Sequence, residues 1–170
     1  MYMILQKCSL WNVATVFFIE PTKVHYIKEI SRKINLAPTS VKKHIHGLVK
    51  EGFIEETDKE IFKGYLARRD NTEFIFYKKI NNLISLKSFK LIDYLKEHYP
   101  KSIILFGSYD KGEDIETSDI DLFVDSKKIK INTEKFEKLL KRNIHIVFKE
   151  EAEKSLMGSI NQGTILFGER

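Results

Sequence analysis

The sequence predicts a two-domain α+β/α/β chain, with residues 1–80 in one domain and 81–170 in the other. Three observations carry that expectation. In the first half, apolar residues recur at helical spacing and then give way to short β-like runs. In the second half, helical patterns alternate with short apolar strands, the pattern of a small mixed sheet covered by helices. Between them, Asn81-Asn82 separates a strand-like run, Phe74-Ile75-Phe76-Tyr77, from a helical pattern on Leu83, Leu86, Leu91 and Leu95.

A first helix is expected over about 9–19, stopped by Pro21. Ile27, Ile30 and Ile34 then fall at i, i+3, i+7, one apolar face of a second helix. Asn35-Leu36-Ala37 makes a short turn. Pro38 suits the first position of a third helix, where the missing N–H has no partner to lose. Val41, Ile45 and Leu48 give that helix its inward face, and Gly52 ends it where a left-handed cap is wanted. β-like segments follow at 53–57, 60–67 and 73–78.

The second half reads as a helix over 83–98, then the strand Ile103-Ile104-Leu105-Phe106 running into Gly107-Ser108. Further strands are expected at 120–124 and 144–148, with helices at 133–142 and 150–161. The run Gly163 to Phe167 is expected to pack back on the sheet.

With 42% hydrophobic and 31% charged residues, each half can build a core of its own. No apolar stretch approaches the ~20 residues of a membrane span. Gln6, Lys7 and Asn12 interrupt the apolar start, which lacks a basic leader, so neither a signal peptide nor a membrane partner is expected. Cys8 is the single cysteine, which excludes an internal disulfide and fits a reducing, cytoplasmic location. Residues 1–82 hold 14 Lys+Arg against 9 Asp+Glu, whereas 83–170 hold 15 of each. The whole excess of +5 therefore lies in the first half, which suggests a polyanionic partner there.

Two helices joined by a three-residue turn can place the second in a DNA major groove. If Val41, Ile45 and Leu48 point inward, the outward positions are Thr39, Ser40, Lys42, Lys43 and His46. These are hydroxyls and cations suited to phosphates and base edges. Lys63 and Arg68-Arg69 add positive charge to the following hairpin. The segment EISRKINLAPTSVKKHIHGLVKEGFIEE resembles the winged helix-turn-helix regulators, across most of 23–78. The resemblance implies double-stranded DNA as a partner and Leu48 packed inward. It further implies that Gly52 opens the first wing strand. Such regulators often pair, so a homodimer is a further option. The same helices could instead serve only partner binding.

The stretch ILFGSYDKGEDIETSDIDLFV carries the chemistry. Gly107 lets backbone approach a phosphate with no Cβ in the way. Ser108 brings a hydroxyl, and the amides of the next turn add donors for an anion. Asp119 and Asp121, at i and i+2 on a strand, would share one face and could hold a cation against a triphosphate. The stretch is similar to the minimal nucleotidyltransferases of the DNA polymerase beta superfamily, whose signature is Gly-Ser, ten residues, then Asp-x-Asp. Tyr109 to Ser118 are those ten. The resemblance covers about 83–170 and implies Mg²⁺ or Mn²⁺ with ATP or another nucleoside triphosphate. Asp119 and Asp121 would be metal ligands, Gly107 and Ser108 would hold phosphates, and Lys111 would be a nearby cation. It also implies an antitoxin role, with AMP passed to a protein or small molecule and a partner of the HEPN helical-bundle family.

One position departs from the family. A third carboxylate is usual on the next strand, where this chain has Asn143-Ile144-His145-Ile146-Val147-Phe148, and His145 takes its place. Histidine can accept a proton but suits Mg²⁺ poorly, because hard cations prefer oxygen. Two readings therefore stand side by side: a nucleotidyltransferase, and a DNA-binding regulator that senses nucleotide or a protein partner with little or no turnover. His25, His44, His46 and His98 lie at no metal-ligand spacing and read as surface or packing residues.

Overall fold

The structure, a computed structural model, describes residues 7–57 and 63–169. The chain divides into two compact units, Met1–Lys78 and Lys79–Arg170.

In the first unit, α1 (Ser9–Ile19), α2 (Ile27–Ile34) and α3 (Pro38–Lys50) precede a hairpin of β1 (Ile54–Thr57) and β2 (Gly64–Ala67). Asn35 adopts the left-handed conformation, φ 51°, and turns α2 into the loop before α3. Pro38 occupies the first turn of α3, as its φ preference favours. Gly52, φ 71°, follows α3 in the backbone region that favours glycine. The hairpin is antiparallel, pairing Ile54 with Ala67 and Thr57 with Gly64. His25, between α1 and α2, makes a β-bridge with Tyr65, exchanging N–H···O bonds of 2.8 and 2.9 Å. The core gathers Val13, Phe17, Phe18, Ile30, Val41, Ile45, Leu48, Ile54 and Phe74. The expected strand at 60–67 is observed from Gly64 onward, and its part at 60–62 lies outside the described residues.

The expected strand at 73–78 is instead part of a helix, α4 (Thr72–Ser88), inside which the division between the units falls. Asn71 starts it: its side-chain Oδ1 accepts from Phe74 N at 2.9 Å, and its carbonyl accepts from Ile75 N. The buried positions are Phe74, Lys78, Asn81, Asn82 and Leu86, a helical spacing at which three of the five residues are polar. A reading of apolar residues alone sees only the Phe74–Tyr77 run. The helix expected over 83–98 is likewise divided: α4 ends at Ser88, and α5 (Leu91–Lys96) begins after Lys90, φ 59°.

In the second unit, β3 (Ser102–Phe106), α6 (Gly107–Lys111), β4 (Ile120–Val124), α7 (Glu134–Leu140), β5 (Ile144–Phe148), α8 (Lys154–Gln162) and β6 (Thr164–Gly168) follow. A short 3₁₀ turn, Lys149–Glu151, precedes α8, where one helix over 150–161 was expected. The four strands form a mixed sheet in the order β5-β4-β3-β6. β4 runs antiparallel to β3 and parallel to β5, and β6 closes the other edge antiparallel to β3. One face packs Ile103, Leu105, Ile120 and Leu122 against Leu86, Leu91, Leu95, Phe136 and Leu140. The other packs Ile104, Phe106, Phe123 and Val147 against Ile160 of α8. No helix among the described residues is long and apolar enough to cross a membrane.

Candidate functional site

β3 is buried throughout and delivers the chain to Gly107 at the end of the sheet. Phe106 pairs with Asp121 across the β3–β4 ladder, so the Gly-Ser turn meets the second aspartate by register alone. Gly107 has φ +77°, and a Cβ built on it would fall 2.4 Å from Asp121 Oδ2. No side chain fits there, so only glycine lets the Asp121 carboxylate pack directly against the turn. Ser108 follows on the first turn of α6, half-buried, and its hydroxyl makes no hydrogen bond among the described residues.

Asp119 lies just before β4 rather than on it, and is exposed. Asp121 is on the strand and half-buried. Two rungs connect β4 to β5. Asn143 Nδ2 donates to Asp119 Oδ1 at 3.1 Å, and His145 Nδ1 lies 3.2 Å from Asp121 Oδ1. His145 is directly opposite Asp121 in the parallel register. Because side chains alternate across a strand, Asn143 and His145 share a face, as do Asp119 and Asp121. The turn, Asp121 and His145 thus meet at one end of the sheet, with Asp119 held by Asn143 just before the two strands. Asp119, Asp121 and His145 do not bring three ligand atoms within 4.8 Å of one another; among the described residues only Glu20, His25 and Glu29 do so. Lys111 is exposed at the far end of α6 from Gly107 and pairs with no described residue.

The platform beneath is held by buried polar contacts that the sequence alone did not signal. Asn82 of α4 donates to Tyr109 O at 2.9 Å and to Asp114 Oδ1 at 2.7 Å. Arg142 Nη2 reaches Asp114 Oδ2 at 3.4 Å, with both side chains almost wholly buried. Lys79 pairs with buried Asp110 at 3.2 Å. These fix the ten-residue loop between the turn and the aspartates to the helices behind it. Burial, reinforced by the Asp114 charge and opposed by Arg142, pushes the Tyr109 phenol far above its usual pKa.

The residues expected to face DNA form the outer side of α3. Thr39, Lys42, Lys43 and His46 are exposed and Ser40 is partly so, while Val41, Ile45 and Leu48 are buried. His44 is instead held by Ser9 Oγ at 2.8 Å. Lys63, Arg68 and Arg69 are exposed, but Lys63 pairs with Glu56 and Arg68 with Asp70, which partly offsets their charge.

A buried strand thus leads into a glycine-serine turn, with Asp121 on the next strand against it and Asp119 just before that strand. Residues 89–166 match the family model of the nucleotidyltransferase domain. Most of the second unit is therefore similar to a nucleotidyltransferase domain. No curated protein and no solved structure matches the chain.

Proposed function

We propose that the second unit binds a nucleoside triphosphate with a divalent cation and transfers its nucleotidyl group to a hydroxyl acceptor. The close approach of Gly107 to Asp121 carries this reading: only glycine lets the carboxylate lie directly against the turn on which a phosphate would be held. The donor set fits a hard cation, with Asp119 and Asp121 as the residues that would hold Mg²⁺ and the triphosphate completing the shell. When bound, the cation neutralises and orients the phosphates. Gly107 lets phosphate oxygens close on the turn, and Ser108 Oγ donates to one of them. With Nδ1 turned to Asp121, His145 has Nε2 left to receive the proton of the acceptor hydroxyl. That oxygen bonds to the α-phosphorus as pyrophosphate leaves. ATP as the donor, a protein acceptor and an antitoxin role follow from the family resemblance.

For the first unit we propose a winged helix-turn-helix that binds duplex DNA through α3. The exposed hydroxyls and cations of that helix, and the positive charge confined to the first half, support it. A second reading has its own support. His145 supplies nitrogen where an oxygen ligand would help a second hard cation, which favours a regulator that binds nucleotide and turns it over slowly.

Incubation of the protein with Mg²⁺, α-labelled ATP and the product of the neighbouring gene separates the two. Transferred label that disappears in Asp119→Ala establishes the transferase. Saturable nucleotide binding with no transferred label establishes the sensing regulator.

A further inference from the structure

A second cluster of ligand-type side chains lies in the first unit, remote in sequence from the aspartates of β4. Glu20 follows α1, His25 sits in the loop after it, and Glu29 is in the first turn of α2. One ligand atom from each lies within 4.8 Å of the other two. The histidine ring is fully buried, packed edge-on to Phe17 at 5.0 Å. Its Nε2 lies 3.0 Å from the Glu20 carbonyl oxygen, a pure acceptor, so Nε2 carries the hydrogen. The Nδ1 lone pair is therefore left on the Glu29 side of the ring, while the Glu20 carboxylate lies 3.9 Å from Nε2. Nδ1 has no hydrogen-bond partner among the described residues, and the nearest acid oxygen, Glu29 Oε1, is 3.9 Å away.

We propose that Glu20, His25 and Glu29 form a site for a divalent cation of the zinc class, bound by His25 Nδ1 and one oxygen from each glutamate. A buried lone pair facing a carboxylate is unfavourable with nothing between them, and a cation turns that opposition into coordination. Imidazole nitrogen selects a borderline metal such as Zn²⁺ over Mg²⁺. The Nε2–H bond to a backbone carbonyl is the outer contact that typically fixes a metal-binding histidine's tautomer and ring orientation. Three protein ligands leave a fourth tetrahedral position for water.

Two lysines now occupy the rim. Lys33 pairs with Glu20 and lies 3.8 Å from Glu29 Oε1, and Lys23 pairs with Glu29 at 2.7 Å. Both ammonium groups are on flexible, partly exposed stems, so an incoming ion can displace them into water. The bound ion would join the end of α1, the His25–Tyr65 bridge and the start of α2.

The test uses the full chain carrying Asp119→Ala and Asp121→Ala, which removes the two aspartates of the candidate nucleotide site from competition. Zn²⁺ is titrated against a chromophoric chelator at neutral pH. One equivalent is expected to bind, with affinity reduced about tenfold or more by Glu29→Gln. The surface variant Lys33→Met, which keeps the fold, is expected to bind several-fold more tightly because the competing ammonium is gone. Circular dichroism without metal confirms that each variant is folded. The absence of saturable zinc binding overturns the proposal. So does an affinity that neither Glu29→Gln lowers nor Lys33→Met raises.

Discussion

Gly107 combines two constraints that no other residue type satisfies together. Its φ of +77° costs an L residue about 1–2 kcal/mol, and its missing Cβ leaves room beside Asp121. Gly107→Ala is expected to lower stability by about that amount and, separately, to reduce triphosphate affinity by at least about tenfold, which is ~1.4 kcal/mol. Equilibrium unfolding and nucleotide titration measure the two effects independently. Tyr109 gives a pH signature. Burial raises its folded pKa far above the ~10 of the unfolded chain. The contribution is therefore fully present below pH ~10 and is lost as pH rises beyond it, because the unfolded chain releases the phenolic proton first. Urea unfolding between about pH 9 and 11 should show stability falling more steeply in the native protein than in Tyr109→Phe. The spacing of Gly107, Ser108, Asp119 and Asp121 was readable because it depends on strand parity and chain length alone. That Asn143 would hold Asp119 was not, since it needs the parallel register of β4 and β5.

Among the elements, β6 depends on one small residue. Gly163 has an ordinary backbone conformation, yet a Cβ there would lie 2.3 Å from Leu105 O and 2.8 Å from Ile104 Cγ2. Gly163→Ala must push the end of α8 and the start of β6 away from β3. It is expected to cost about 1–3 kcal/mol, with hydrogen-exchange protection lost first at the amides of β6. β3, β4 and α1 to α3 were legible because their buried positions are apolar, as near-continuous runs in the two central strands and at helical spacing in the helices. α4 was misread as a strand at its start for the opposite reason. Its inward face carries buried Lys78, Asn81 and Asn82, the last held by Tyr109 O and Asp114, and so breaks the apolar pattern.

Across the molecule, positive charge is unevenly divided. The net +5 lies in residues 1–82, and residues 83–170 are balanced. If the first unit binds duplex DNA, affinity should fall steeply and log-linearly with salt. Lys42→Glu with Lys43→Glu should weaken binding to all sequences and lower the log–log salt slope by about 2. Both residues are exposed on α3, so the protein should keep its thermal transition. Fluorescence anisotropy over a salt series measures the slope, and binding indifferent to salt and to both changes would end the winged-helix reading.

The amino-acid sequence by itself determined the order of most elements, the Gly-Ser to Asp-x-Asp spacing, the substitution of His145 and the outward face of α3. All of these are set by periodicity or by distances along one short segment. Tertiary structure decided which side chains meet. It set Asp121 against Gly107 and His145, tied Asn82 to Asp114 and Arg142, and drew Glu20 and Glu29 around His25. Contacts of this kind depend on strand register and helix packing, which many sequence separations can satisfy, so spacing along the chain does not reveal them.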